Sequence, residues 1–142
     1  MEKRIFVVRA ERDLERCYPV MKELRPHLSY ENFLSIYRQA HAQDAYEIVA
    51  IESGGEILAL MGYRFLFDYV RGKHLYVDDL VSSEKMRSKG LGALLLRFAE
   101  SAAKEADCAT LRLCTGLENE RGMSFYEREG WSKRSLAYTK KV

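Results

Sequence analysis

Apolar positions run together at the start of the chain and then spread out. RIFVVRA, residues 4–10, carries the branched and aromatic side chains of a strand. In ERDLERCYPVMKELRPHL the apolar residues Leu14, Cys17, Val20, Met21 and Leu24 recur at helical spacing. Ser29 is placed to cap a second helix within LSYENFLSIYRQAHAQD, which carries Phe33, Leu34, Ile36 and Tyr37. YEIVAIES, residues 46–53, returns to strand, and Gly54-Gly55 makes a tight turn into EILALMGYRFLFDYV. That run is apolar at nearly every position, which suits a central strand covered on both faces. After RGKH, LYVDDLVS reads as strand, and residues 91–106 switch to the helical period. TLRLCT is a short strand, ENERGMSFYEREG a helix ended by Gly130, and WSKRSLAYTKKV a closing strand.

The predicted order is βααβββαβαβ. The hairpins around Gly54-Gly55 and Gly72 are antiparallel, and the strand-helix-strand unit from Leu75 to Thr115 is the candidate for a parallel crossover. The expectation is an α/β (α+β) fold in one domain, residues 1–142. Its sheet is mixed and mostly antiparallel, with one parallel βαβ unit and helices on both faces. A chain of 142 residues with 47% hydrophobic content can supply one such core. No repeat, low-complexity tract or linker marks a second domain.

Charge and cysteine content narrow the function classes. Lys and Arg number 23 against 21 for Asp and Glu, a net charge of +2, which argues against a nucleic-acid partner. The three cysteines, Cys17, Cys108 and Cys114, show no CxxC spacing, so neither a disulfide framework nor a metal site is expected, and a reducing cytoplasm is the simplest location. The apolar stretch near the N-terminus is too short for a signal peptide or a span, so no membrane association is expected.

The chemistry concentrates in MRSKGLGALLLRFAESAAKEA, residues 86–106. Gly90 and Gly92 open a helix, so the unpaired amides of its first turn and the positive end of its dipole face the preceding loop. Glycines allow close approach of a phosphate, and Arg87 and Lys89 add positive charge. A phosphate or pyrophosphate fits there. The segment is not a P-loop, which would end in Gly-Lys-Ser/Thr, and not a dinucleotide fingerprint, which needs a third small residue where Leu95 stands.

These residues resemble the GNAT superfamily of acyl-CoA-dependent N-acyltransferases. The family pattern Arg/Gln-x-x-Gly-x-Gly/Ala is matched by RSKGLG, Arg87 to Gly92. A second family motif is matched by NERGMSFYEREGW through Asn119, Phe125, Tyr126, Gly130 and Trp131, with Gly122 for the usual Ala and Trp131 for the usual Phe. The approach to the first motif, DLVSSEKMR, departs further, with Ser82 for valine and Glu84 for proline. The match covers about residues 46–138.

The resemblance implies a GNAT-like fold and transfer of an acetyl group from acetyl-CoA, a cosubstrate, to a primary amine by direct attack, with no metal. It places the amide of Leu80 at the thioester oxygen and Val81 and Ser82 beside the pantetheine arm. The pyrophosphate loop becomes Arg87, Ser88, Lys89, Gly90, Leu91, Gly92 and Ala93. Asn119 holds the pantetheine, and Tyr126 is the acid that protonates the leaving thiolate. Family register favours Asp78 as proton acceptor, through water, with Tyr76 lining the site. A regular pleat sends the carboxylates of Asp78 and Asp79 to opposite faces, and a bulge would promote Asp79. Family habit also implies a possible homodimer through the late strands.

Other residues receive modest roles. His27, His41 and His74 are scattered, as surface or hydrogen-bonded histidines are. Cys114 reads as a buried packing thiol, and Tyr30, Phe33 and Tyr37 as core more than acceptor pocket. Asp44, Glu47, Asp68, Asp78 and Asp79 could form an acidic approach for a polyamine or a lysine or N-terminal amine. A coenzyme-A-binding sensor without turnover, and an interaction domain of the same fold, stay open at this point.

Overall fold

Five strands join one sheet in the order β1 (Arg4–Val8), β2 (Glu47–Ser53), β3 (Glu56–Asp68), β4 (Gly72–Ser82) and β5 (Leu111–Leu113). The helices are α1 (Glu11–Leu24), α2 (Tyr30–Asp44), α3 (Leu91–Glu105) and α4 (Glu120–Arg128). The computed structural model describes residues 2–142. They fall into two compact units, one ending at Arg112 and the other spanning Leu113–Val142. The first three pairings are antiparallel, and β4 to β5, joined through α3, is the parallel crossover, so the sheet is mixed as expected.

The predicted elements form because their local signals agree with their packing. Ser29 caps α2, its hydroxyl accepting from the Asn32 amide at 3.1 Å. Gly54 and Gly55 both take positive φ in the β2–β3 turn, as does Gly72 at the start of β4. The run 56–68 becomes the longest strand and sits third of five. Its pleat feeds two cores. Val8, Ile48, Ala50 and Leu60 pack with Leu14, Cys17, Met21, Phe33 and Leu34 of α1 and α2. Residues of opposite parity, such as Val49, Ile51, Ala59 and Met61, are also buried, on the face where the Tyr63 ring meets Phe98 of α3 at 6.2 Å. Helices therefore cover both faces of the sheet.

In one respect the architecture departs from expectation. The closing strand predicted for WSKRSLAYTKKV does not form, and residues 131–142 carry no regular structure. Only Leu136 and Tyr138 alternate in that segment, and both are exposed, at 67% and 89%, so no apolar face presses it onto a sheet. Among the described residues no helix is long and apolar enough to cross a membrane.

Candidate active site

Strand β4 changes parity midway. Tyr63 pairs with Val77 and Gly62 pairs with Asp79, which leaves Asp78 as an extra residue in a bulge. Before the bulge, Leu75 and Val77 are buried outside the α1/α2 core, whereas Val81, at the same parity beyond it, belongs to that core. Of the two alternatives, regular pleat or bulge, the strand takes the bulge, and this brings Asp79 to the cavity on the α1/α2 side of the sheet without turning Asp78 away from it.

Each carboxylate is held by an arginine. Arg64 donates to Asp78 twice, Nε to Oδ2 at 3.0 Å and Nη2 to Oδ1 at 2.7 Å, and its Nη1 reaches Asp44 at 3.0 Å. Arg25 Nη2 donates to Asp79 Oδ1 and to the Asp78 carbonyl, both at 3.1 Å. The Tyr46 hydroxyl donates to Asp79 Oδ2 at 2.8 Å. Burial pushes the Asp78 carboxyl above its ordinary value; Arg64 pulls it back, and the charge of Asp79 pushes it further up. Tyr46, nearly enclosed, is pushed well up by burial and then by Asp79, so its proton stays on the phenol.

Gly62 makes this arrangement possible. A Cβ there would lie 2.6 Å from Tyr46 Cζ and 2.7 Å from Asp79 Oδ2 and would overlap the Tyr46 hydroxyl. Gly62→Ala is therefore expected to cost about 3 kcal/mol through overpacking and loss of a charge-assisted hydrogen bond. The urea midpoint would read that loss, and an unchanged midpoint would mean that the Tyr46 ring can withdraw.

The cavity measures about 540 Å³ and has two kinds of wall. Met21, Leu28, Phe33, Ile36 and Ala40 line it from α1, α2 and the segment between them. Arg64, Tyr76, Asp78 and Asp79 line it from the sheet. Phe33 and Tyr37 both belong to the core and line this cavity, while Tyr30 packs edge-on against Tyr18 at 5.5 Å. The guanidinium of Arg112 stacks over the Tyr76 ring at 4.4 Å.

Beyond the bulge β4 leads to the glycine-rich loop. Leu80 pairs with Met61, Val81 with Leu60 and Ser82 with Ala59 across one edge of the strand, and Val81 buries its side chain in the α1/α2 core. β5 has three residues and enters beside Leu75, whose amide donates to Thr110, so its ladder stops short of Leu80. A short 3-10 turn, Glu84–Met86, precedes Arg87. Ser88 and Gly90 take positive φ, at 64° and 79°. Gly90 is the N-cap of α3 and offers no side chain, so the amides of Leu91, Gly92 and Ala93 have no acceptor within the helix. Open space lies where a Cβ on Gly90 would point, the first turn carries no acid, and Arg87 and Lys89 are exposed beside it. An anion can dock there.

Within the second unit, Asn119 is the N-cap of α4. Its Oδ1 accepts from the Gly122 amide at 3.1 Å and its Nδ2 donates to Thr115 Oγ1 at 2.8 Å. A Cβ on Gly122 would come within 2.8 Å of Asn119 Cγ, so a larger residue there would require the Asn119 side chain to shift. Tyr126 follows on the same helix, its ring 5.3 Å from Phe125 and 6.0 Å from Trp131, and burial pushes its hydroxyl above the ordinary value.

The remaining expectations divide. The expected acidic approach assembles only in part: Asp44, Asp78 and Asp79 come together around Arg64 and Arg25, whereas Glu47 is engaged by Arg9 at 3.0 Å and Asp68 by Arg71 at 2.8 Å in the β3–β4 turn. Cys114 is exposed and not buried, because β5 stops at Leu113 and carries it past the sheet. Cys17 is the packing thiol, pushed by burial up to about 12. His41 bonds the Tyr46 carbonyl at 2.9 Å, His74 is buried with Nδ1 3.0 Å from the Gly72 carbonyl, and His27 lines the cavity. Arg25, Tyr46, Gly62 and Arg64 were absent from the candidates drawn from sequence. A lone glycine inside a continuous apolar strand was the visible signal for one of them.

The strand that bulges at paired carboxylates runs on into an uncapped, glycine-led helix, and comparison with known proteins gives the family. The family described as Acetyltransferase (GNAT) family matches residues 7–131. The uncharacterized N-acetyltransferase YhdJ of Bacillus subtilis (strain 168) is 32% identical over 126 residues, 88% of this chain and 89% of that protein. The aminoalkylphosphonate N-acetyltransferase of Salmonella typhimurium is 26% identical over 87 residues, 61% of this chain and 56% of that one. The solved structure of AAC(6')-Iy with a bisubstrate analog, CoA-S-monomethyl-acetylneamine, shares the fold at a TM-score of 0.85 and 16% identity, with all of both chains covered. The chain belongs to the acetyltransferase (GNAT) family and is an acyltransferase.

Proposed function

We propose that the protein transfers an acetyl group from acetyl-CoA to a primary amine of a small molecule or peptide by direct attack in a ternary complex. The observation that carries this reading is the bulge that turns both Asp78 and Asp79 into one cavity, on the strand that leads to the open amides of α3. The relatives support an amine acceptor, since the Salmonella enzyme is named for aminoalkylphosphonates. The AAC(6')-Iy structure carries a coenzyme A conjugate of an acetylated amine.

Each residue then has a task. The amides of Leu91, Gly92 and Ala93, with Arg87, Ser88, Lys89 and Gly90, bind the pyrophosphate of the cosubstrate. Val81 and Ser82 offer backbone to the pantetheine arm as a strand edge would, and Asn119 holds it as well. The Leu80 amide polarises the thioester carbonyl. The amine nitrogen attacks the carbonyl carbon and loses its proton to Asp78 through water; the carbon–sulfur bond breaks, and the thiolate takes a proton from Tyr126. Raised by burial, Asp78 is a stronger base than an ordinary aspartate.

Calorimetric titration with coenzyme A, followed by an assay of thiol release from acetyl-CoA in the presence of amines, tests the proposal. A saturable complex and amine-dependent thiol release are expected. A complex without release would leave a coenzyme A sensor, and no complex would remove the reading altogether.

A further inference from the structure

We propose that the acceptor is a small amine carried on a single apolar body, an arylalkylamine or alkylamine, with its nitrogen at Asp78 and Asp79 and its body against the α1/α2 wall. This rests on the transferase reading and specifies the substrate class of that site. The cavity of about 540 Å³ is within the range of small-molecule pockets. Its polarity is divided. Among the described residues the only acids lining it are Asp78 and Asp79, both at the bulge, while the helical side is mostly apolar through Met21, Leu28, Phe33, Ile36 and Ala40, with Arg25, His27 and Tyr37 its polar groups.

Three alternatives fit this division poorly. A polyamine needs a second carboxylate at a distance from the first, and the helical wall contributes none. An amino sugar would press hydroxyls onto apolar side chains whose helix backbones are already hydrogen-bonded, and each unpartnered hydroxyl would weaken binding. An acceptor with several positive charges would exceed the available counter-charge. Asp78 and Asp79 are each countered by an arginine of the lining, and Asp44 shares Arg64 from outside it, so no charge is left for a second ammonium. Ile36 completes the fit. It lines the cavity yet stays 56% exposed, an apolar side chain at the mouth that a bound apolar body would cover.

The test is a panel of phenethylamine, hexylamine, spermidine, glucosamine and a lysyl peptide with acetyl-CoA. The expected kcat/KM for phenethylamine and hexylamine is at least about tenfold above the other three. Preference for spermidine, glucosamine or the peptide overturns the proposal while leaving the transferase reading intact. Ile36→Ser, at an exposed position that folding tolerates, is expected to raise KM for phenethylamine about tenfold more than KM for ethylamine; equal effects on both count against it. If coenzyme A binds but no amine is turned over, titrating the same panel into the coenzyme A complex decides the matter, and weaker binding of phenethylamine than of spermidine or glucosamine overturns the assignment. If coenzyme A fails to bind, the transferase reading falls, and the same titration into the protein alone still reads the cavity.

Discussion

Tyr126→Phe is expected to lower kcat by about 10²- to 10³-fold while leaving the affinity for coenzyme A unchanged, because one general acid contributes on that scale. The substitution is nearly isosteric. Phe keeps the ring contacts with Phe125 and Trp131 and the helical backbone, including the Trp131 amide that donates to the Tyr126 carbonyl at 2.9 Å. What disappears is the hydroxyl. Burial raises its pKa, so it is protonated throughout the neutral range and can give that proton to a departing thiolate. Thiol release at saturating acetyl-CoA and amine measures kcat, and calorimetry with coenzyme A measures affinity. A kcat within twofold of the parent would make Tyr126 a packing aromatic and assign the proton to solvent. A joint loss of affinity and rate would instead mean that the hydroxyl binds the cosubstrate.

Much of the scaffold was legible because local and tertiary demands agree. Continuous apolarity in residues 56–68 marked a strand buried on both faces, paired glycines marked the first hairpin, and Ser29 marked the start of α2. The glycine-led start of α3 was legible for the same reason, since the missing cap and missing first-turn acid are written in the sequence. The closing segment misled because branched and aromatic residues show only strand propensity, and a strand also needs an apolar face to bury. Cys114 misled because an apolar short strand does not show where its ladder ends.

At the candidate site the adjacent carboxylates were legible, and the geometry and partners that hold them were not. Asp78 and Asp79 stood out as adjacent carboxylates, yet their shared direction depends on Gly62 opposite them, sixteen residues before Asp78 in the chain, and on the Tyr46 hydroxyl filling the space where a Cβ would be. Alternation cannot reveal a bulge whose cause lies on another strand. The same holds for Arg25 and Arg64. An arginine near the end of a helix and one inside a strand carry no mark of the carboxylates they will meet. Their presence turns a set of acids that resembled a cation funnel into two arginine-countered pairs, with Asp44 sharing Arg64.

Substituting the two aspartates one at a time should separate their roles through the pH dependence of kcat/KM. Asp78 has a folded pKa above the ordinary aspartate value, so activity should fall as pH drops through that raised pKa and the base becomes protonated. Asp78→Asn removes the base: the acid limb should flatten and the plateau should fall about 10²-fold or more. Asn keeps one acceptor for Arg64 and loses the other, while Arg64 retains Asp44 at 3.0 Å, so a thermal melt of the variant separates any loss of fold from loss of the base. Asp79→Asn acts with a different sign. The negative charge of Asp79 is one of the influences that raise Asp78, and without it Asp78 holds its proton less tightly. The acid limb should then persist and move to lower pH, with a smaller loss of plateau rate. The opposite pattern, a limb abolished by Asp79→Asn and merely displaced by Asp78→Asn, would make the Tyr46-bonded carboxylate the proton acceptor and reduce Asp78 to an anchor for Arg64. The contrast is decisive because both carboxylates share one cavity. Proximity to substrate then favours neither, and the difference rests on how each is held: Asp78 in a bidentate clamp that burial opposes, Asp79 between a guanidinium and a phenol.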